Sequence, residues 1–248
     1  GARLTIRPSD LTDGFADDPI LALDFPRPDW NAALTEWLIG LYFLTLAPEN
    51  ESAWGERFRD PPPPAVLAAA LAPLAQWFDL DGAGPRAFQD HDTLGNAEAK
   101  PLSALLIEAP GEQTTKNNAD LFIKRGGAAT LTLPEAAAAL ITLQTYAPAG
   151  GAGHRTSMRG GGPLTTLLSP LRQDRKTATL WDRVWANVPE AEPDTPDDPR
   201  EALPWLSPTI TSEKGARPVT PEDRHPALAF FACPRRIRLM FEEIEGKR

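Results

Sequence analysis

NAALTEWLIGLYFLTLA, Asn31 to Ala47, is the stretch on which the fold reading rests. Its apolar residues Leu34, Trp37, Leu38, Leu41, Phe43 and Leu44 recur at helical spacing, which predicts a helix inside the core. Asp29 or Asn31 is the candidate N-cap, and Pro48 closes the pattern because the residue before proline disfavours the helical region. Working outward, the polyproline run Pro61 to Pro64 precedes a second predicted helix over 65–78, with Leu67, Leu71, Leu74 and Phe78 along one face. A third starts at Pro134, a residue preorganised for a first helical turn, and runs to about Tyr146. A fourth, over 177–188, places Leu180, Trp181, Val184 and Trp185 on one side. Residues 101–107 read as a short helix, and 79–100 and 111–120 as loops.

Between these helices the sequence predicts short strands. Arg3 to Ile6 alternates, Ala129 to Leu133 follows a Gly-Gly turn, Pro163 to Leu168 reads as extended, and Arg235, Ile237 and Leu239 alternate with Arg236 and Arg238. The fold class expected is therefore α+β, a mixed helical and short-stranded globular domain with long irregular loops. One domain over 1–248 is expected, interrupted by the acidic proline-rich segment EAEPDTPDDPR at 190–200. With 27 prolines in 248 residues, well above the average of roughly 5%, many connections should be irregular and ordered by packing. The seven tryptophans read as core anchors or as partner surface.

Cys233 is the single cysteine, which excludes an intramolecular disulfide and a multi-cysteine metal site within this chain. No apolar run approaches the roughly 20 residues that span a bilayer, and no signal peptide pattern opens the sequence. A cytoplasmic protein without membrane association is expected. The formal net charge of -9 opposes indiscriminate nucleic-acid binding.

Charge is unevenly spread. Residues 114–176 carry eight Lys/Arg against three Asp/Glu, whereas 1–113 carry seven against 18 and 177–248 carry ten against 13. Inside the basic region lies PAGGAGHRTSMRGGGPLTT, Pro148 to Thr166, in which two glycine clusters enclose His154, Arg155 and Arg159. Neither phosphate-cradle pattern, GxxxxGK[ST] or GxGxxG, is present, since Gly150, Gly151 and Gly153 follow a helix and no Lys-Ser/Thr pair follows them. Two meanings remain: a flexible loop without a ligand, or a bare backbone that approaches a polyanion with Arg155 and Arg159 on phosphates.

Phe122, Lys124 and Arg125, followed by two glycines, read either as a strand end with a solvated basic pair or as a loop that stacks on or wedges into nucleic acid. RQDRK at 172–176 and PRRIR at 234–238 read as a solvated face or salt-bridged strand, or as contact surface. His91 between Asp90 and Asp92 could be drawn as a metal or acid-base site, but sequence neighbours in a loop rarely converge on one point. Cys233, in FFACP, reads as a buried inert thiol. No catalytic constellation emerges, and no metal or cofactor is expected.

One order of segments is recognisable. LFIKRGG at 121–127, a proline-started alanine helix, APAGGAGHRTSMRGGGPLTTLL at 147–168, LWDRVWANV at 180–188 and HPALAFFACPRRIRL at 225–239 follow one another, with AFQD at 87–90 upstream. This order resembles the CasA family, the large subunits of type I-E CRISPR Cascade surveillance complexes. The resemblance covers most of the chain and is most specific in Arg159 to Thr166 and in PRRIRL.

The resemblance implies a noncatalytic subunit with a mixed α/β N-terminal domain, and a C-terminal helical bundle that would lie beyond Arg248. It implies recognition of the protospacer-adjacent motif (PAM) in target double-stranded DNA, help in opening the duplex, and docking of a helicase-nuclease. Further partners implied are the guide RNA ribonucleoprotein and the other Cascade subunits. Ala149, Gly150, Gly151, Ala152 and Gly153 would be the family's glycine loop against the PAM minor groove, with His154, Arg155 and Arg159 beside it. Phe122, Lys124 and Arg125 would fall in the family's mobile PAM-sensing loop. Ala149 and Ala152 stand where glycine is common in the family.

Overall fold

The computed structural model describes residues 2–123, 125–127, 130–146, 166–174, 176–191, 196, 198–210, 220, 222 and 224–243. Helix α1, Pro28–Leu46, organises them. Pro28 occupies the first turn, where its missing N–H costs nothing. Neither predicted cap residue caps the helix: Asp29 pairs with Arg27 at 2.9 Å, and the Asn31 amide both accepts from the Phe25 N–H and donates to the Phe25 carbonyl. The helix stops where expected, with Ala47 extended ahead of Pro48.

Six more α-helices follow among the described residues: α2 Glu51–Arg59, α3 Pro64–Ala75, α4 Glu112–Lys116, α5 Leu133–Tyr146, α6 Leu180–Trp185 and α7 Leu228–Phe231. Single 3-10 turns lie at Pro8–Asp10, Leu102–Leu105, Pro199–Glu201 and Pro204–Leu206. α1 is apolar around most of its circumference because it lies between two cores. On one side Trp30, Ala33, Leu34 and Leu44 pack with Leu74 of α3, Phe88, Leu105, the alanine face of α5, Trp205 and Phe231. On the other, Leu38, Ile39 and Tyr42 pack with Leu11, Leu67 and the apolar residues of α6.

The tryptophans resolve toward anchors. Trp181 and Trp185, one helical turn apart, stack with ring centroids 5.1 Å apart and are fully buried. Each indole N–H still needs an acceptor. Trp181 donates to the Arg57 carbonyl at 3.1 Å and Trp185 to the Trp54 carbonyl at 2.9 Å, which fixes α2 on α6. Trp205 donates likewise to the Trp77 carbonyl at 2.8 Å. α2, which the sequence reading did not place, is capped by Asn50 accepting from the Ala53 N–H.

The α+β expectation is corrected: the described residues contain no β-strand, and the fold there is helical with irregular connections. Arg3 to Ile6 has no regular secondary structure. Thr132 donates its N–H and its hydroxyl to the Glu135 carboxylate, so this stretch closes into the start of α5 instead of continuing as a strand. Of the stretch at 163–168 read as strand or extended, the described residues 166–168 form no strand, and both polar backbone groups of Leu168 bond the Asn187 side chain. Residues 235–239 form no strand either, and their backbone partners are mostly side chains. The Arg235 N–H donates to Gln144, the Leu239 N–H to Gln89, and the Ile237 carbonyl accepts from the Asp90 N–H. The alternation did not signal a strand: amide side chains take the role of a neighbouring strand. The predicted loop at 111–120 contains the one-turn α4.

Candidate nucleic-acid interface

The basic region begins with α4. Its end is chemically defined: the Ala119 N–H reaches the Thr114 carbonyl at 2.9 Å and the Asn118 N–H the Thr115 carbonyl at 3.1 Å. Asn118 sits in the left-handed region with φ 49°, which asparagine tolerates better than most residues. This is a Schellman stop, and it turns the chain abruptly outward.

Asp120 comes next, with its side chain only 4% exposed. Arg125 closes on it in a two-point pair, Nε to Oδ2 at 2.5 Å and Nη2 to Oδ1 at 2.7 Å. The same Nη2 approaches Asn118 Oδ1 at 3.3 Å and the Thr115 carbonyl at 3.4 Å. The hydrogen bonds from Arg125 hold the Asp120 carboxyl below its ordinary pKa despite its burial. Within this closed span Leu121 is 83% and Phe122 97% exposed. Gly126, at φ 72°, makes the turn that follows. Lys124 lies outside the described residues.

The candidate glycine segment, Ala149, Gly150, Gly151, Ala152, Gly153, His154, Arg155 and Arg159, also lies outside the described residues. The described chain on either side is firmly held. Gln144, 1% exposed in the last turns of α5, donates to the carbonyls of Phe88 and Arg235 and accepts from the Arg235 N–H. Two residues later the Tyr146 hydroxyl hydrogen-bonds the buried Glu36 of α1, and burial pushes the Tyr146 phenol up to about 12. On the far side the Asn187 clip fixes Leu168 to the end of α6.

The other basic segments resolve toward structural work. The Arg172 side chain, 8% exposed, pairs with the buried Asp182 at 3.0 Å and with Asp174 at 2.7 Å, and lies over the rings of Phe58 and Phe15. Arg236 pairs with the fully buried Asp90 at 2.6 Å, and Arg238 donates to the Asp90 carbonyl. Asp90 is thereby committed to the 235–239 segment, while His91 is exposed. Among the described residues no group of three or more His, Cys, Asp or Glu side chains is placed to hold a metal. Burial pushes the Cys233 thiol up, the direction of an inert cysteine. No helix among the described residues is long and apolar enough to cross a membrane.

Sequence reasoning missed Asp120, Asn118 and Gln144. Asp120 and Arg125 bracket an apolar pair, and Gln144 is a lone amide on a buried helix face, so each left a readable trace.

A sequence model of the family described as CRISPR-associated protein Cse1 matches residues 1–248. A search of curated proteins finds no match. Among solved structures, CasA (Cse1) of Thermus thermophilus superposes with a TM-score of 0.53 at 20% identity, over 90% of this chain and 46% of that one. Cse1 of Thermobifida fusca gives 0.59 at 21% identity, over 89% of this chain and 43% of that one. The chain thus spans less than half the length of these two structures, and the likeness to them is one of fold. The match over the whole chain places it: this protein belongs to the Cse1 (CasA) family of CRISPR-associated proteins.

Proposed function

We propose that this chain serves in the noncatalytic large subunit of a type I-E CRISPR RNA-guided Cascade complex, where it contacts the PAM of target double-stranded DNA, aids duplex opening and helps recruit the helicase-nuclease. The observation that carries this reading is an apolar pair, Leu121 and Phe122, held out in solvent inside the basic region of an otherwise acidic protein. An exposed aromatic beside cations suits stacking on, or wedging into, nucleic acid. Ala149 to Gly153 would lie against the minor groove, whose degenerate pattern suits reading by backbone and shape. Lys124, His154, Arg155 and Arg159 would supply phosphate contacts, with Arg125 beside them in the basic loop. Sequence reading of the target itself would fall to guide RNA pairing, as in other RNA-guided effectors.

The test is an assembled complex carrying Arg155→Ala and Arg159→Ala, titrated with duplexes that contain or lack a PAM. Weaker binding with reduced discrimination is expected. Unchanged affinity and discrimination would remove the glycine segment from the interface.

A scaffold reading, in which the chain binds sibling subunits and guide RNA without touching DNA, is favoured by a different observation. Leu168 and Leu171 are 67% and 97% exposed, an apolar surface better suited to protein than to phosphate. A map of the complete particle with duplex DNA separates the two, because the scaffold reading requires protein over the basic region.

A further inference from the structure

We propose that Asp120 and Arg125 form a positioning pair whose task is to hold Phe122 outward for contact with nucleic acid; this rests on the DNA-contact reading above. An exposed phenyl ring at the tip of a short loop gains free energy by folding back onto apolar surface. Keeping it 97% exposed requires a base that resists collapse. The base has three parts. The Schellman stop at Asn118 sets the exit direction of the chain. The buried Asp120 carboxylate fixes the start of the span, and its two-point bond with Arg125 fixes the end. A bidentate carboxylate–guanidinium pair constrains orientation as well as distance, unlike a single contact made by a lysine. The Ile123 N–H donating to the Asp120 carbonyl at 2.9 Å completes a tight turn in which Leu121 and Phe122 stand exposed.

Arg125 therefore contributes in a way its sequence context did not suggest. Both its Nε and Nη2 are committed to Asp120, so most of its donor capacity is spent within the loop. Its effect on binding should pass through Phe122 and not through a phosphate.

The test uses the assembled complex and a PAM-bearing duplex, with Phe122→Ala, Asp120→Asn and the double variant. Loss of one stacked base should weaken binding about tenfold. If the pair acts through the ring, Asp120→Asn alone costs a comparable factor and adds almost nothing in the Phe122→Ala background. The swap Asp120→Arg with Arg125→Asp should recover most of the affinity, a rescue that loss of a phosphate contact would not show. Additive effects of Asp120→Asn and Phe122→Ala would overturn the proposal. So would an Asp120→Asn complex that binds like wild type while Phe122→Ala weakens binding; that result would leave the DNA-contact reading standing. Unchanged DNA binding by Phe122→Ala, with weaker retention of the subunit in the complex, would overturn both and make the ring a protein contact. Because Asp120→Asn alters local order, equal melting temperatures of the free variants are required, and Asp120→Glu is the fallback if the asparagine variant melts lower.

Discussion

Gly40 in the middle of α1 lies directly against Phe230 of α7, so close that a Cβ built on the glycine would stand 2.2 Å from Phe230 Cβ and 2.5 Å from Cγ. These are ring-root atoms, and they cannot swing away as the tip of a flexible side chain can. Gly40→Ala should therefore destabilise the protein by about 1–3 kcal/mol, against the gain in helix propensity that alanine would otherwise bring. Urea unfolding checks it, and an unchanged midpoint would show that the two helices separate at little cost.

Arg172→Ala should be more damaging. It leaves the fully buried Asp182 carboxylate without its cation and strips the cover from Phe58 and Phe15. Breaking a buried pair from one side costs roughly 3–5 kcal/mol. A loss below about 1 kcal/mol in the same urea experiment would mean that water replaces the guanidinium, a surface-pair magnitude.

Gln144→Leu keeps the volume of the side chain but orphans the Arg235 N–H and removes a donor from the Phe88 and Arg235 carbonyls. A cost of about 1–3 kcal/mol follows from the buried donor alone. Amide exchange at Arg235 should accelerate sharply while the middle of α1 stays protected. Uniform acceleration across the chain would instead mark global loss of stability.

Acid sensitivity should trace in part to Asp90. Burial disfavours its charge, but hydrogen bonds from Arg236, the Asp92 backbone and Thr209 outweigh this and depress its pKa. A carboxylate depressed in the folded state contributes stability above its ordinary range, and loses it as pH falls through the lower folded value. The stability gap between wild type and Asp90→Asn should be full at neutral pH and shrink below about pH 4. A gap independent of pH would show that the charge of Asp90 contributes nothing.

The helices were legible because burial leaves a periodic signature. Leu34, Leu38, Leu41 and Leu44 announce α1, and Trp181, Val184 and Trp185 announce α6. α2 escaped notice because Gly55 and its charged residues dilute the pattern, and what holds it is a pair of indole bonds from residues 124 and 131 positions away. The strands were misread for a related reason. Alternation at 235–239 reports two unlike faces, but nothing in that local pattern says whether the hydrogen-bonding partner is another strand or the amides of Gln89 and Gln144. In the candidate site, the sequence left Phe122 open between a strand end and a contact loop, and the Asp120–Arg125 closure depends on the left-handed turn at Asn118.

The side-chain stitching of residues 235–239 also bears on how this surface can meet another molecule. The N–H groups of Arg235 and Leu239 and the carbonyls of Arg235, Ile237 and Leu239 are already bonded within the chain. The side of the segment that carries those groups is closed to an incoming extended peptide, which blocks strand addition and edge-to-edge aggregation along that side.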